Sequence, residues 1–335
     1  MSLCPIIVLE GGDGTGKTTL ANALVKELDA AYYHATYRFG DRMDKYHTAI
    51  LHQALREAEE RPVILDRWYP SELVYARAFR GKSKWPYAYR MFERVGLKHN
   101  ITYVFCHPRD KQVYLQAFDE LKQTREEMYD SVDRVYDLFG HMIHMLRYNN
   151  GLIGFDRFKQ VNATLEEQAR AIGEWAWGRA ERLPKFASDP NDRRFAGNPW
   201  APVILVGDKS NIKGRHNPWP FFEYGHSSLW ITKALAEMNV PESALGWINL
   251  HDKDGKVQWT LEELQFFDAT FVAMGAAAQA SLRSMGVHHK PMPHPQWLCR
   301  FHHEEYRYPH VQNLFSELGI VHDVFEKHRR ELGVD

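Results

Sequence analysis

The sequence predicts an α/β protein: an open, mostly parallel sheet with helices on both faces, followed by a second α/β unit. Three observations predict it. Short apolar runs alternate with helical patterns through the first half, which is the rhythm of a parallel sheet with crossover helices. A glycine-rich segment joins the first apolar run to the first helical pattern. A stretch rich in Asp, Asn, Pro, Gly and Arg then interrupts the chain before a new apolar run opens a second series.

The elements follow in order. Pro5-Ile6-Ile7-Val8-Leu9 reads as the first strand, and residues 20–28 as the first helix. A strand-like position comes before Tyr33-His34-Ala35-Thr36-Tyr37-Arg38. Pro62-Val63-Ile64-Leu65 reads as a short buried strand ending at Asp66-Arg67. Ile101-Thr102-Tyr103-Val104-Phe105-Cys106 and Leu152-Ile153-Gly154-Phe155 are two more. Helical patterns cover residues 45–60, 71–79, 111–124, 131–148 and 165–179. Beyond the break, Val203-Ile204-Leu205-Val206, residues 247–250 and residues 269–274 read as strands. Helices are expected at residues 227–238, 261–267 and 276–285. This divides the chain into a first domain at 1–185, a linker at 186–201 and a second domain at 202–335.

Composition narrows the setting. A chain of 335 residues has room for two domains of ~100–200 residues each. The net charge of −1 gives no overall basic field that would announce a nucleic-acid partner. Cys4, Cys106 and Cys299 are odd in number and far apart, which fits a reducing compartment and no disulfide framework. No apolar run is long enough for a membrane span and the N-terminus does not read as a signal peptide, so no membrane partner and a cytoplasmic location are expected.

The chemistry begins at Glu10-Gly11-Gly12-Asp13-Gly14-Thr15-Gly16-Lys17-Thr18-Thr19. Gly11, Gly16, Lys17 and Thr18 fit the spacing of a phosphate-binding loop between a strand and a helix. Glycines, Gly14 included, let backbone N–H groups curl around phosphate oxygens, and the helix start, with Thr19 in its first turn, adds positive potential. Lys17 then reaches the β- and γ-phosphates of ATP, and the Thr18 hydroxyl ligates Mg²⁺. Asp66 and Arg67 close a strand on the same side of the sheet. An Asp there holds Mg²⁺ through water, and an Arg clamps an acceptor phosphate with two hydrogen bonds. The alternative is a surface ion pair. Asp13 is read as touching an acceptor hydroxyl, or else as a turn cap. Tyr37 and Arg38 are read as part of an acceptor pocket, or as an ordinary loop.

These residues, with Asp66-Arg67-Trp68-Tyr69-Pro70-Ser71 and Tyr75, resemble thymidylate kinase and related P-loop nucleoside monophosphate kinases over residues 1–180. The resemblance implies a parallel sheet of that type, with ATP and Mg²⁺ as cofactors. It implies that Asp13 meets a sugar hydroxyl, that Arg67 holds the acceptor phosphate and that a lid carries arginines. Lys122-Gln123-Thr124-Arg125 is the lid candidate, with Arg125 catalytic. Where the family commonly reads A-Y-Q, this chain has Val74-Tyr75-Ala76. The resemblance leaves the oligomer open between monomer and homodimer.

Gly207-Asp208-Lys209-Ser210-Asn211, Pro220-Phe221-Phe222, Trp247-Ile248-Asn249 and His294-Pro295-Gln296-Trp297-Leu298 occur in the order of the uracil-DNA glycosylase superfamily, over residues 202–312. That resemblance implies a second α/β domain of this type. In it Asp208, Phe221, Asn249, His294 and Leu298 bind a flipped base or DNA, with Leu298 as the wedge. Lys209 and Ser210 depart from the family's first motif, which favours base binding over base excision. His288, His289, His294, His302, His303 and His310 match no standard zinc spacing.

Three functions are carried forward. The first is phosphoryl transfer to the hydroxymethyl group of 5-hydroxymethyluracil in DNA, as in bacteriophage DNA hypermodification, which would place the protein in host cytoplasm. The second is a free deoxynucleoside monophosphate kinase with an appended DNA-binding domain. The third is a glycosylase or base-binding repair protein.

Overall fold

The computed structural model describes residues 3–35, 43–81, 88–121, 132–146, 152–159, 161–209, 226–238, 240–252, 254–301 and 309–320. The chain forms two compact units, one of residues 1–92 and 99–183 and the other of residues 93–98 and 184–326.

The first unit runs β1 (Ile6–Glu10), α1 (Lys17–Leu28), β2 (Ala31–His34), α2 (Met43–Glu57), β3 (Val63–Asp66), α3 (Tyr69–Arg80), α4 (Ala88–Lys98), β4 (Thr102–Cys106), α5 (Lys111–Leu121), α6 (Val132–Leu146), β5 (Leu152–Phe155) and α7 (Leu165–Ala180). Its five strands pair in parallel in the order β2-β3-β1-β4-β5. Central strands of such a sheet are covered on both faces. That is why β1, β3 and β4 are buried along their whole length and read as continuous apolar runs. Ile7 and Leu9 pack with Leu20 and Leu24 of α1, Ile172 of α7, Ile64 and Val104. Tyr103 instead meets a ring cluster of Trp68 and Tyr69, which also pack on Phe92. α7 starts at a capping box, in which Thr164 accepts from the Glu167 N–H and Glu167 accepts from the Thr164 N–H.

The second unit holds α8 (Lys185–Ser188), β6 (Phe195–Gly197), β7 (Val203–Lys209), α9 (His226–Glu237), β8 (Leu245–His251), α10 (Leu261–Gln265), β9 (Thr270–Met274), α11 (Ala276–Ser284), β10 (His289–Met292), α12 (Pro295–Phe301) and α13 (Pro309–Glu317). Its sheet is mixed, in the order β10-β9-β7-β8-β6, with β6 alone antiparallel. The stretch expected as a linker, 186–201, carries the end of α8 and β6. Phe195 is fully buried, lies opposite Ile248 and packs on Phe186 and Phe267, so this polar-looking segment is pinned by its aromatics. Arg94, from the part of α4 that belongs to this unit, is buried. It donates to both Glu242 oxygens at 2.7 and 2.9 Å and to the Thr232 hydroxyl at 3.0 Å. A buried pair of this kind tolerates loss of neither partner.

No helix among the described residues is long and apolar enough to cross a membrane.

Candidate active site

The glycine loop leaves the end of central β1 and enters α1. Gly11 has φ +145°, and a Cβ there would run into the Cys106 carbonyl oxygen on β4. Gly16 caps α1 with φ +86°, in the left-handed region, and a Cβ on it would lie 2.9 Å from Cδ of Arg157. Both positions therefore need glycine for geometry and for space. Inside the loop the Gly12 carbonyl accepts twice, from the Thr15 hydroxyl at 2.8 Å and from Lys17 Nζ at 2.5 Å. Lys17 is buried, and that burial, with the Arg67 charge nearby, lowers its pKa to about 8. Thr18 and Thr19 stand exposed on the first turn of α1.

Arg67 sits in the turn after β3 with φ +73°, a conformation a non-glycine residue adopts only when its surroundings hold it. Its N–H donates to the Leu9 carbonyl at 2.9 Å. Nη1 donates to the Gly11 carbonyl at 3.0 Å and to Ser71 Oγ at 3.1 Å, and Nη2 to Asp13 Oδ1 at 2.6 Å. The guanidinium also lies 5.0 Å from the centre of the Tyr75 ring. Glu10, the last residue of β1, is completely buried beneath this turn. One of its oxygens accepts from the Trp68 N–H at 2.6 Å, and the other from Ser71 Oγ at 2.5 Å. Burial raises its pKa to about 7, against the pull of Ser71 and the Arg67 charge.

Asp66 is buried at the end of β3, directly across from His34 of β2. Its Oδ2 accepts from the Tyr32 hydroxyl at 2.9 Å and lies 3.1 Å from His34 Nδ1. Oδ1 has no hydrogen-bond partner among the described residues. A buried carboxylate oxygen without a partner among the described residues, near the glycine loop, and the exposed Thr18 hydroxyl at the helix start are hard oxygen donors. They fit Mg²⁺, a cation that keeps several waters and the nucleotide's own phosphates in its shell.

The structure thus gathers Gly11, Asp13, Gly14, Gly16, Lys17, Asp66 and Arg67 around one end of the first sheet. Arg125, Tyr37 and Arg38 lie outside the described residues. Sequence reasoning missed Glu10, Ser71, Tyr32 and Arg157. Glu10 and Ser71 stood inside quoted motifs, but only the fold brings them together.

In the second unit, Asp208 of β7 places Oδ1 3.0 Å from His251 Nδ1 at the end of β8. Asn249 is two residues earlier on β8, opposite Gly207. His294 follows β10, accepts at Nδ1 from the Gln296 N–H at 3.0 Å and packs against Gly275 after β9. Burial lowers its pKa, opposed by the Asp208 charge. Asp208 and His294 therefore share one neighbourhood at the ends of parallel strands, and His251 is paired with Asp208. The signal for His251 was its two-residue spacing from Asn249 on a strand. Phe221 lies outside the described residues. Leu298 is fully buried on α12, whereas Trp297 beside it is 47% exposed. Among the described residues, no group of three or more His, Cys, Asp or Glu is arranged to hold a metal.

No protein-family model matches the chain, and no match to a curated protein was found. Solved structures similar to part of it include the YorR protein of Bacillus subtilis in complex with phosphorylated GDP. That likeness is 22% identical, with a TM-score of 0.38, over 50% of this chain and 92% of the other. Another is the deoxyadenosine kinase of M. mycoides with bound dCTP, 12% identical with a TM-score of 0.34, over 50% of this chain and 97% of the other.

Proposed function

We propose that the protein transfers the γ-phosphoryl group of ATP, with Mg²⁺, to a pyrimidine acceptor. The observation that carries this reading is the arrangement around Gly12: a glycine loop between a buried strand and a helix, with Lys17 beneath it and Arg67 across from it. Lys17 turns from the Gly12 carbonyl to the phosphates when ATP enters. Thr18, and Asp66 through water, would hold Mg²⁺, which neutralises charge on the phosphates during transfer. Arg67 holds the acceptor's phosphate, and Asp13 orients Arg67 and the acceptor hydroxyl.

For the acceptor, we propose the 5-hydroxymethyl group of 5-hydroxymethyluracil in DNA. What supports it is the grouping of Asp208, Asn249, His251 and His294 in the second unit, a set of donors and acceptors suited to the edge of a base taken out of the stack. Without a family proline turn beside Asp208, that unit binds the base and leaves it attached. The second reading is a kinase of free deoxynucleoside monophosphates, in which the Arg67 guanidinium beside Asp13 would receive a terminal phosphate.

The test is an acceptor panel with γ-labelled ATP: dTMP, 5-hydroxymethyl-dUMP, plain duplex DNA and duplex DNA containing 5-hydroxymethyluracil. Label in the modified duplex alone is the expected result. Label in free nucleotide alone overturns the DNA reading and keeps the kinase. Abasic sites without label transfer overturn both.

A further inference from the structure

Three groups meet at Gly12. From the donor side, Lys17 Nζ donates to its carbonyl at 2.5 Å, and that amine reaches the β- and γ-phosphates when a nucleotide enters. From the acceptor side, the next residue, Asp13, is paired with Arg67 at 2.6 Å. The third group comes from outside the loop. Tyr114 of α5 is buried with its hydroxyl against Gly12: a Cβ on Gly12 would run into that oxygen and lie 3.1 Å from Cζ. Gly12, unlike Gly11, Gly14 and Gly16, has no positive φ, and the three atoms nearest to such a Cβ all belong to Tyr114. The missing side chain at this position therefore makes room for a phenol. We propose that Tyr114 is a catalytic residue whose hydroxyl donates a hydrogen bond to a nonbridging oxygen of the phosphoryl group in transfer. This role rests on the kinase reading and adds a group to its machinery.

The chemistry asks for such a donor. From Glu10 to Thr19 the loop carries one cation, Lys17, and no arginine. Charge spread over three nonbridging oxygens needs more donors than one amine supplies. In the step itself, the acceptor oxygen forms a bond to the γ-phosphorus, and the bond from that phosphorus to the β–γ bridging oxygen breaks. ADP leaves with that electron pair, and the proton of a hydroxyl acceptor passes to Asp13 and then to water. Tyr114 neither gains nor loses a proton. Burial, with Tyr75 and Asp13 nearby, holds its pKa above the ordinary value against the pull of Arg67, so the phenol stays a donor. Its ring is held from the other side by Tyr136 of α6, with ring centres 5.3 Å apart. The Tyr136 hydroxyl is tied in turn to the Pro108 carbonyl at 2.7 Å. The hydroxyl is thus fixed before the reaction, which is the condition for a donor to stabilise charge that develops only in the transition state.

The experiment compares wild type with Tyr114→Phe, which removes only the hydroxyl, with ATP, Mg²⁺ and either 5-hydroxymethyluracil duplex or dTMP as the acceptor probe. The kcat is expected to fall about a hundredfold, with the KM of ATP and of the acceptor within about twofold of wild type. A second readout needs no turnover. Calorimetry measures ADP binding with Mg²⁺ and the acceptor probe, with and without aluminium fluoride, a mimic of the phosphoryl group in transfer. The fluoride should tighten ADP binding to wild type. Tyr114→Phe should lose about tenfold of that gain while binding ADP alone as wild type does. A tyrosine that only packs the loop would weaken both. Gly12→Ala, whose added methyl displaces the hydroxyl, carries the test where Tyr114→Phe does not fold, and the same loss of kcat is expected. A kcat within about threefold of wild type in the variant that carries the test, or a defect confined to KM, overturns the inference. So does an unchanged gain from aluminium fluoride. Absence of transfer by wild type to both probes overturns the kinase reading, and this role with it.

Discussion

Arg67 Nη2 and Asp13 Oδ1 are paired at 2.6 Å across the mouth of the glycine loop, with the arginine held at φ +73°. The ion pair is part of a three-acceptor grip on one planar guanidinium, and only arginine has the donors to fill it. Arg67→Lys is expected to lose two of the three bonds. The loss should be about 2–3 kcal/mol of transition-state stabilisation, roughly 30- to 150-fold in kcat/KM for the acceptor. Steady-state kinetics check this. A change under threefold would mean that the grip is unrelated to catalysis.

Lys17 is buried, and burial disfavours its charged form. Its Gly12 acceptor keeps the Thr15 hydroxyl when the lysine is removed. Lys17→Met should therefore abolish phosphoryl transfer yet stabilise the apo protein by about 1–3 kcal/mol in denaturant melts near pH 7. The sign follows from the lowered pKa. Between about 8 and the ordinary value of 10.5 the unfolded chain binds the extra proton, so wild type gains stability as pH rises through that window and closes the gap to the variant.

Glu10 has the opposite linkage. Its native pKa of about 7 stands above the ordinary 4.5, so the native state binds the extra proton between those values. The stability this group contributes is full below about 4.5 and is lost as pH rises through 7. Glu10→Gln should remove that slope, narrowing by about 2–3 kcal/mol the difference that wild type shows between pH 5 and pH 8 in equilibrium unfolding. Parallel slopes for the two proteins would contradict the buried-carboxylate assignment.

The second unit separates a core residue from a surface one at adjacent positions. Leu298→Ala should cost about 2–5 kcal/mol, because it opens a cavity in a packed core. Trp297→Ala should cost under about 1 kcal/mol of stability and weaken binding to 5-hydroxymethyluracil duplex by about 1–3 kcal/mol through lost stacking. Melting curves and fluorescence anisotropy check the pair. Equal DNA affinity for wild type and Trp297→Ala would remove Trp297 from the interface.

The first sheet was legible because its central strands are buried on both faces, so residues 6–9 and 103–106 read as unbroken apolar runs. The loop was legible because its tight path from β1 into α1 needs glycine at Gly11 and Gly16, both at positive φ with no room for a Cβ. What escaped the sequence has physical causes. α4 carries Arg90, Glu93, Arg94 and Lys98, which look like surface residues and are buried. Phe195 hid in a run of Asp, Asn and Pro, where turn residues outnumber the aromatics that fix it. Leu298 read as a wedge by its place in a motif, and only packing shows that the neighbouring tryptophan points outward. The Glu10–Ser71 bond joins residues 61 apart in sequence, a distance across which periodicity says nothing.

Phosphoryl transfer is followed most directly at the phosphorus itself. Wild-type protein is mixed with ATP, Mg²⁺ and 5-hydroxymethyluracil duplex and observed by phosphorus NMR, with Lys17→Met beside it. ADP and a new phosphomonoester resonance on the duplex are expected to grow together in the wild type, and neither is expected in the variant. ATP that stays intact, or ADP accompanied only by free phosphate with no ester on this duplex or on dTMP, would contradict this expectation.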